Sequence, residues 1–250
     1  MSNKIQKIKP YERLARYYDQ LMDYIDYATW IREVEDLADQ HDAGDKWLDI
    51  SCGTGSMAIQ LARNGKTVTA VDLSQDMVEM AQAKAAEAGL SIDLSVGDML
   101  TFHSTSKYDV IINLHDGLNY LLEDVNTQSF IDNSHDLLEP NGLLIFDVVT
   151  PLLCQTHFRG YREILADDEG GYERYTTYDP VTQLAESRFT LNTDQENMVQ
   201  VESHIQRAYG LKSVESLCLK SQFSWWQILD DETLDAATEK SERLLVLMKK

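Results

Sequence analysis

The sequence predicts an α/β fold with a doubly wound, mostly parallel sheet. Strand-like and helix-like patterns alternate over residues 46–148 with short turns between them, which is typical of a parallel sheet with helices on both faces. A tight glycine turn follows the first of these strands, where such sheets bind ligands. The chain has 250 residues, 43% of them apolar, which is enough for one large domain with a real core.

Local signals set the limits of each element in this region. Gly65 and Gly89 stand where helices commonly end in a left-handed residue, and Ser74 is a predicted N-cap. The sequence EPNG predicts a turn before the fifth strand. The expected strands are 46–51, 67–72, 91–96, 108–114 and 142–149, and the expected helices are 55–64, 75–88 and 124–138.

After Pro151 the pattern changes to a rough period of two, which predicts antiparallel strands. Turn-forming sequences, EGG, DP and TDQE, join these segments into a meander. A helix and two extended segments follow, and we expect them to complete the far edge of the main sheet. They lie at residues 211–221, 223–229 and 243–249.

The residues before position 46 are helical in pattern and rich in aromatic side chains, and no strand is predicted among them ahead of the first strand and its glycine turn. They therefore lead into the ligand site from outside the sheet. The predicted organisation is a helical lid at 1–45, a cofactor-binding domain at 46–150 and 211–250, and an inserted antiparallel β subdomain at 151–210.

Composition limits the function. The formal net charge of −20 argues against binding nucleic acid, which depends on clustered Lys and Arg, so a small-molecule substrate is expected. No apolar run is long enough for a membrane span and no secretory signal is visible, which predicts a cytoplasmic protein. Cys52, Cys154 and Cys218 lack CxxC spacing and are predicted to be reduced thiols, and no metal site is expected.

The glycine turn alone leaves the cofactor open. Gly53 to Ala58, GTGSMA, matches the G-x-G-x-x-A pattern of a dinucleotide site, with Asp72 at the end of the second strand. An NAD-dependent oxidoreductase is therefore one alternative. Against it stand the aromatic helical segment before the turn and Asp49 inside the first strand, because a carboxylate there suits an ammonium or sulfonium ligand better than a pyrophosphate.

Five segments in order make the pattern more specific. LDISCGTG resembles the first motif of class I S-adenosylmethionine-dependent methyltransferases, and the later motifs are resembled by VTAVDLSQDMVEMAQAKA, VGDMLTF, YDVIINLHDGLNYL and LLEPNGLLIFDV. The resemblance covers about residues 47–150, and an insertion after strand five is similar to that of glycine- and aminosugar-type N-methyltransferases. It implies a Rossmann-like, seven-stranded, mostly parallel sheet with an antiparallel β insertion after strand five. It also implies S-adenosylmethionine as cofactor and S-adenosylhomocysteine as product.

The same resemblance implies roles for single positions. Asp72 would hold the ribose hydroxyls, Asp98 would accept a hydrogen bond from the adenine amino group, and Asp49 would organise the turn. Gly53 would meet the methionine part of the cofactor, while Ser51 stands where many family members have glycine. The other predicted cofactor-binding residues are Leu73 and Met77 beside the adenine, Met99 through its backbone amide, Leu114 and His115 under the sulfonium, and Tyr18.

Methyl transfer from a sulfonium is an in-line displacement, which alignment and exclusion of water can promote without a fixed triad. An ammonium or hydroxyl acceptor must still lose a proton. His115 is the candidate base expected to titrate nearest neutrality, and Asp116 is the second candidate. The alternative is that His115 only packs against the cofactor and that Asp116 caps the turn after it.

The N-terminal pattern YxxLAxYYDxLM resembles the leading helices of small-molecule methyltransferases, in which tyrosines close over the cofactor. Tyr11, Tyr17 and Tyr18 are the candidates, with Arg16 as a partner for a carboxylate; the alternative is an amphipathic helix that packs on the sheet. The insertion would roof the acceptor pocket or form a homodimer contact. The predicted activity is methylation of a nitrogen or oxygen of a small molecule, and a protein that binds the cofactor or its product without turnover is an alternative.

Overall fold

The computed structural model describes residues 4–166, 171–192 and 198–250. The strands are β1 Lys4–Lys7, β2 Lys46–Ile50, β3 Thr67–Asp72, β4 Asp93–Val96, β5 Tyr108–Asn113, β6 Leu138–Val149, β7 Tyr161–Leu165, β8 Tyr172–Asp179, β9 Leu184–Asn192, β10 Met198–Arg207, β11 Trp225–Asp230 and β12 Arg243–Lys249. The helices are α1 Ala15–Leu21, α2 Tyr27–Asp39, α3 Ser56–Arg63, α4 Gln75–Glu87, α5 Asp124–Leu137, the short α6 Pro151–Leu153 and α7 Leu211–Lys220.

Within the described ranges, seven strands form the main sheet in the order β11-β12-β6-β5-β2-β3-β4. Strands β2 to β6 run parallel to their neighbours among themselves, and β12 runs antiparallel to both β6 and β11. Apolar side chains of α2 and α3 form a core on one face of this sheet, and those of α5 and α7 form a core on the other. The predicted doubly wound, mostly parallel fold is confirmed.

A second sheet has the order β1-β10-β9-β8-β7. Strands β7 to β10 follow β6 in the chain, and the N-terminal strand β1 pairs at the edge of the same sheet. Strands β7 to β10 pair antiparallel, as the period-two pattern predicts. The predicted turn TDQE lies outside the described residues, and so do the first two residues of EGG. None of the described helices combines the length and apolarity that crossing a membrane requires.

Two local predictions are wrong. A strand does precede the glycine turn, since β1 pairs in parallel with β10; its four residues are all exposed and show no alternation that would reveal a strand. The sequence EPNG does not separate α5 from β6, because β6 begins directly at Leu138. There the pairing with β5 shifts register between Tyr108 and Val110, and Asn141 takes a positive φ of 67°.

Candidate active site

The glycine turn after β2 has a left-handed backbone at Ser51, with φ of 78°, and at Gly53, with φ of 54°. Such angles are costly for residues with a Cβ. This cost explains why related motifs often have glycine at the position that Ser51 occupies here. The Ser51 hydroxyl accepts a hydrogen bond from Asn113 Nδ2 at 2.9 Å. A Cβ placed on Gly117 would lie 2.2 Å from that hydroxyl, so two loops of the sheet meet here without room for a larger side chain.

Asp72 holds the turn in place from the end of β3. One carboxylate oxygen accepts the backbone N–H of Gly53 at 2.8 Å, and the other accepts that of Ser74 at 2.9 Å. Burial raises the pKa of Asp72 above its ordinary value, against the effect of these hydrogen bonds. Each carboxylate oxygen retains a further acceptor site, so Asp72 can still receive ligand hydroxyls.

A cavity of about 700 Å³ opens at the carboxyl ends of β2, β3 and β5, a size and position typical of cofactor sites. The N-terminal segment covers it with Tyr11 and Tyr18. Leu73 is 71% exposed at its rim, whereas Met77 is buried. The predicted cofactor-binding residues that line it are Tyr18, Ser51, Gly53, Asp72, Leu73, Met77, Asp98, Met99 and His115. The structure brings these residues together, and their individual roles stay predictions.

Asp49 and Leu114 do not line this cavity but a smaller one beside it, together with Tyr18 and His115. Asp49 is buried, and its Oδ2 has no hydrogen-bond partner. Burial, followed by repulsion from Asp72, raises the pKa of Asp49 to about 7. A buried carboxylate oxygen without a donor is costly, so this position fits a ligand that carries positive charge or N–H donors.

His115 has a positive φ of 66° and lies among aromatic rings. Its ring centroid is 5.9 Å from that of Trp30 and 6.2 Å from that of Tyr27, and its Nδ1 is 3.4 Å from the Tyr18 hydroxyl. Burial, assisted by Arg243, lowers the pKa of His115 to about 4 despite the nearby Asp116. His115 is therefore uncharged at pH 7, although its pKa stays nearer to neutrality than that of Asp116.

Asp116 forms an ion pair with Arg243, which also binds Asp147. Although burial opposes ionisation, the Arg243 guanidinium holds the pKa of Asp116 below its usual range. Its side chain makes no capping hydrogen bond to the turn Gly117–Tyr120, so the capping alternative is wrong. Asp116 is an ionised partner of an arginine and a weak proton acceptor.

An inner cavity of about 50 Å³ lies next to the large one, between the N-terminal segment and the second sheet. Tyr11, Tyr18, His115 and Tyr120 border both cavities. The second sheet and the segment before it contribute Phe158, Arg174, Ser187, Phe189, His204 and Gln206. Aromatic and polar side chains therefore surround a small space that adjoins the cofactor cavity.

The N-terminal candidates separate into two groups. Tyr11 and Tyr18 line both cavities, whereas Tyr17 is buried against the ring of Tyr172 and accepts a hydrogen bond from the backbone of Gly171. Arg16 is exposed and lines neither cavity. Contrary to the expectation, Tyr17 and Arg16 therefore line neither cavity.

Sequence analysis did not single out Tyr120, Glu202 or His204. Tyr120 lies in the short helical turn after β5, and the other two are buried polar residues on β10. Their only sequence signal is a glutamate and a histidine on one side of an alternating strand, which is compatible with an exposed face. Among the described residues, no cluster of His, Cys, Asp or Glu is suited to a metal ion.

Comparisons with known proteins agree with this geometry. A family model described as "Methyltransferase domain" matches residues 48–142. An inferred methyltransferase of Geobacillus sp. (strain WCH70) is 31% identical over 245 residues, which cover 96% of this chain and 99% of the relative. YqeM, an inferred methyltransferase of Bacillus subtilis (strain 168), is 26% identical over 238 residues, which cover 94% of each protein.

Two solved structures share the fold over most of the chain. An S-adenosylmethionine-dependent methyltransferase from Clostridium acetobutylicum superposes with a TM-score of 0.81 at 24% identity, covering 96% of this chain and 98% of the other. The sugar N-methyltransferase KedS8 from Streptoalloteichus sp. superposes with a TM-score of 0.71 at 14% identity, covering 94% and 92%. At these identities the likeness concerns the fold.

Proposed function

This chain belongs to the class I S-adenosylmethionine-dependent methyltransferases, and from that premise we propose that it methylates a nitrogen or an oxygen of a small-molecule acceptor. The observation that supports this most strongly is the pair of adjoining cavities. The larger one gathers the glycine turn with Asp72 and Asp98, and the smaller one adjoins it behind His115 and Tyr18.

The residues present fit the cofactor. We assign Asp72 to the ribose, Asp98 and Met99 to the adenine, and the turn at Gly53 to the methionine part, and the lining of one cavity by all of them supports this assignment. The unpartnered Oδ2 of Asp49 favours a positively charged ligand nearby. Bound S-adenosylmethionine supplies a methyl group activated by its sulfonium. The chain's own part is to orient this group toward the inner cavity and to exclude water.

The residues between the two cavities suit alignment better than strong base catalysis. His115, with a pKa of about 4, accepts a hydrogen bond but holds a proton weakly at neutral pH. Asp116 is already paired with Arg243. A single general base is therefore not needed, because positioning two reactants can supply much of the rate enhancement.

We place the acceptor beneath the inserted sheet. Phe158, Arg174, Phe189 and His204 line the inner cavity, which supports a roof over the acceptor rather than a homodimer contact. The N-terminal segment is the proposed lid, because Tyr11 and Tyr18 cover both cavities. The net charge of −20 supports a small-molecule acceptor over nucleic acid.

The test is transfer of a labelled methyl group. The full chain is incubated with methyl-labelled S-adenosylmethionine and a panel of acceptors that includes glycine, ethanolamine, glucosamine and catechol, and labelled products are separated. We expect acceptors of one chemical class to be labelled.

A second test concerns the cofactor site. We expect Asp72→Ala to weaken cofactor binding at least about tenfold, because the loss of one charge-assisted hydrogen bond and of the support for the glycine turn costs a few kcal/mol. Calorimetry measures this affinity.

Two outcomes would replace the proposal. Tight cofactor binding without label transfer to any acceptor would favour a protein that binds the cofactor without turnover. Thermal stabilisation by NAD but not by S-adenosylmethionine would favour the oxidoreductase.

A further inference from the structure

Four side chains from three parts of the chain form a continuous hydrogen-bonded row beside the inner cavity. The hydroxyl oxygens of Tyr11 and Tyr120 are 2.5 Å apart, and the Tyr120 hydroxyl is 2.9 Å from His204 Nδ1. His204 Nε2 is 3.1 Å from Glu202 Oε2. Both tyrosines border the cofactor cavity, whereas Glu202 and His204 are buried in the second sheet. The row therefore leads from the reaction site into the protein.

Glu202 is held as a hydrogen-bond acceptor. One of its oxygens receives the backbone N–H of Tyr11 at 2.7 Å, and the other receives those of Arg13 at 2.7 Å and Leu14 at 2.9 Å. Both carboxyl oxygens of Glu202 therefore act as acceptors. The atom of His204 that faces Glu202, Nε2, must then be the one that carries a proton.

The direction of every other bond in the row follows from this. With its proton on Nε2, His204 presents Nδ1 as an acceptor, so the Tyr120 hydroxyl donates to it. Tyr120 has one hydroxyl proton and cannot also donate to Tyr11, so Tyr11 donates to Tyr120. The oxygen of Tyr11 is then left with free acceptor sites at the border of the two cavities.

Neither tyrosine is suited to keep a charge. Burial raises the pKa of Tyr11 and of Tyr120 well above the ordinary value, so neither persists as a tyrosinate, and each has to gain a proton as it gives its own away. His204 can hold the transferred proton, because an imidazolium there would pair with the Glu202 carboxylate. His115 lacks such a partner, since the nearby Asp116 is bound to Arg243.

We propose that Tyr11, Tyr120 and His204 form a proton relay for the methyl acceptor, with Glu202 as the positioning residue that sets its direction. The inference rests on the proposed function. As the acceptor nitrogen or oxygen bonds to the methyl carbon, the bond from that carbon to sulfur breaks and sulfur keeps the electron pair. The acceptor's proton moves to the Tyr11 oxygen, the Tyr11 proton to Tyr120, and the Tyr120 proton to His204 Nδ1. After product release the same row returns the proton to water in the cavity.

The first test needs no acceptor. Nitrogen-15 labelled histidine in the full chain reports by NMR which ring nitrogen of His204 carries its proton, with the signal assigned through His204→Gln. We expect the proton on Nε2, and a shift of the Nδ1 signal in Tyr120→Phe because that variant removes its donor. A proton on Nδ1, or on both nitrogens, would overturn the relay.

The second test measures single-turnover methyl transfer to the best acceptor of the panel. Tyr120→Phe keeps the ring and removes one hydroxyl of the relay. We therefore expect the rate to fall by more than about threefold and by up to about 10²-fold, the contribution typical of assisted proton transfer. Cofactor affinity should stay within about threefold, and the solvent deuterium isotope effect should change. The matched control is Tyr108→Phe. It removes the hydrogen bond from the hydroxyl of Tyr108, a buried residue of β5, to Ser104 and should leave the rate unchanged.

Combining the two tyrosine variants separates a relay from independent contacts. If one proton path uses both hydroxyls, Tyr11→Phe should cost as much as Tyr120→Phe, and the double variant should be no slower than either, a non-additive result. Additive losses, or a loss below about threefold in Tyr120→Phe, would overturn the relay. Absence of turnover with every acceptor would contradict the proposed function alone, because the histidine spectrum still decides the direction of the row.

Discussion

Asp49 makes cofactor binding depend on pH at the scale of a single residue. Its pKa is raised to about 7, by burial first and by Asp72 second, and only its ionised form attracts a cation. We expect the affinity for S-adenosylmethionine to rise by roughly tenfold from about pH 6 to pH 8, since the ionised fraction of an acid with a pKa of about 7 rises roughly tenfold over that range. Calorimetry across this range measures the slope, and Asp49→Asn should bind more weakly and show no such slope.

The same group affects the unliganded protein in the opposite direction. Between the ordinary pKa of an aspartate and about 7, the folded state keeps a proton that the unfolded state has lost. Asp49 therefore lowers stability as pH rises through this window, and Asp49→Asn should remove that part of the decline. Asp93→Asn, on the exposed face of β4, is the matched control. An unchanged pH slope in Asp49→Asn would show that the carboxylate does not titrate in this range.

At the scale of elements, α1 is tied to the cofactor site by one carboxylate. Asp19 accepts a hydrogen bond from the Thr54 hydroxyl at 2.5 Å and forms an ion pair with Lys84 of α4 at 2.7 Å. Since α1 also carries Tyr18, this contact holds the proposed lid closed. We expect Asp19→Ala to speed cofactor dissociation about three- to tenfold, the range for a partly exposed pair with one added hydrogen bond, as measured by stopped-flow displacement.

Asp45→Ala is the control for this prediction. It breaks an ion pair of similar length, 2.8 Å between Lys66 and Asp45, at a site away from both cavities, and should leave the dissociation rate unchanged. Equal rates for Asp19→Ala and the wild-type chain would show that α1 does not act as a lid.

The elements also show what the sequence could and could not predict. Strands such as β5 and β6 are buried on both faces, so their continuous apolar runs reveal them. Strand β1 has no buried residue and exists through its pairing with β10, about 190 residues later in the chain. A local pattern carries no information about such a distant partner.

The candidate site follows the same rule. The turn at Gly53 and the acid at Asp72 are recognised because each lies within one motif next to a strand. Tyr11, Tyr120 and His204 come from three segments that meet only in the folded chain, so no motif connects them. Asp116 was identified by position, but its partner Arg243 is 127 positions away, and that partner decides its chemistry.

At the scale of the whole molecule, the site lies where the two sheets meet. The main sheet contributes the cofactor cavity. In the second sheet, Glu202 accepts hydrogen bonds from three backbone N–H groups of the N-terminal segment. The covering segment is therefore bonded to the insertion as well as to the main sheet through Asp19. Opening of the proposed lid would therefore have to break contacts with both sheets.

Arg243 joins the main sheet to the loop that borders the inner cavity. From β12 it binds Asp147 on the neighbouring strand β6 and Asp116 after β5, and its Nε is 3.9 Å from Asp231. Asp147 is fully buried, so it depends on this guanidinium for its charge. We expect Arg243→Met to lower the free energy of unfolding by about 3–5 kcal/mol, the usual cost of leaving a buried charge unpaired, as measured by urea denaturation.

The companion variants decide whether the lost pairing is the cause. Replacing one partner as well, in Arg243→Met with Asp147→Leu, should recover part of the stability, because the fully buried Asp147 is then gone while Asp116 and Asp231 still lack the guanidinium. Arg162→Met breaks an exposed pair with Glu173 and should cost less than about 1 kcal/mol. The deficit of Arg243→Met should also shrink at low pH, where Asp147 is protonated in the folded state. A loss below about 1 kcal/mol at neutral pH would mean that the buried cluster does not hold the loop and the sheet together.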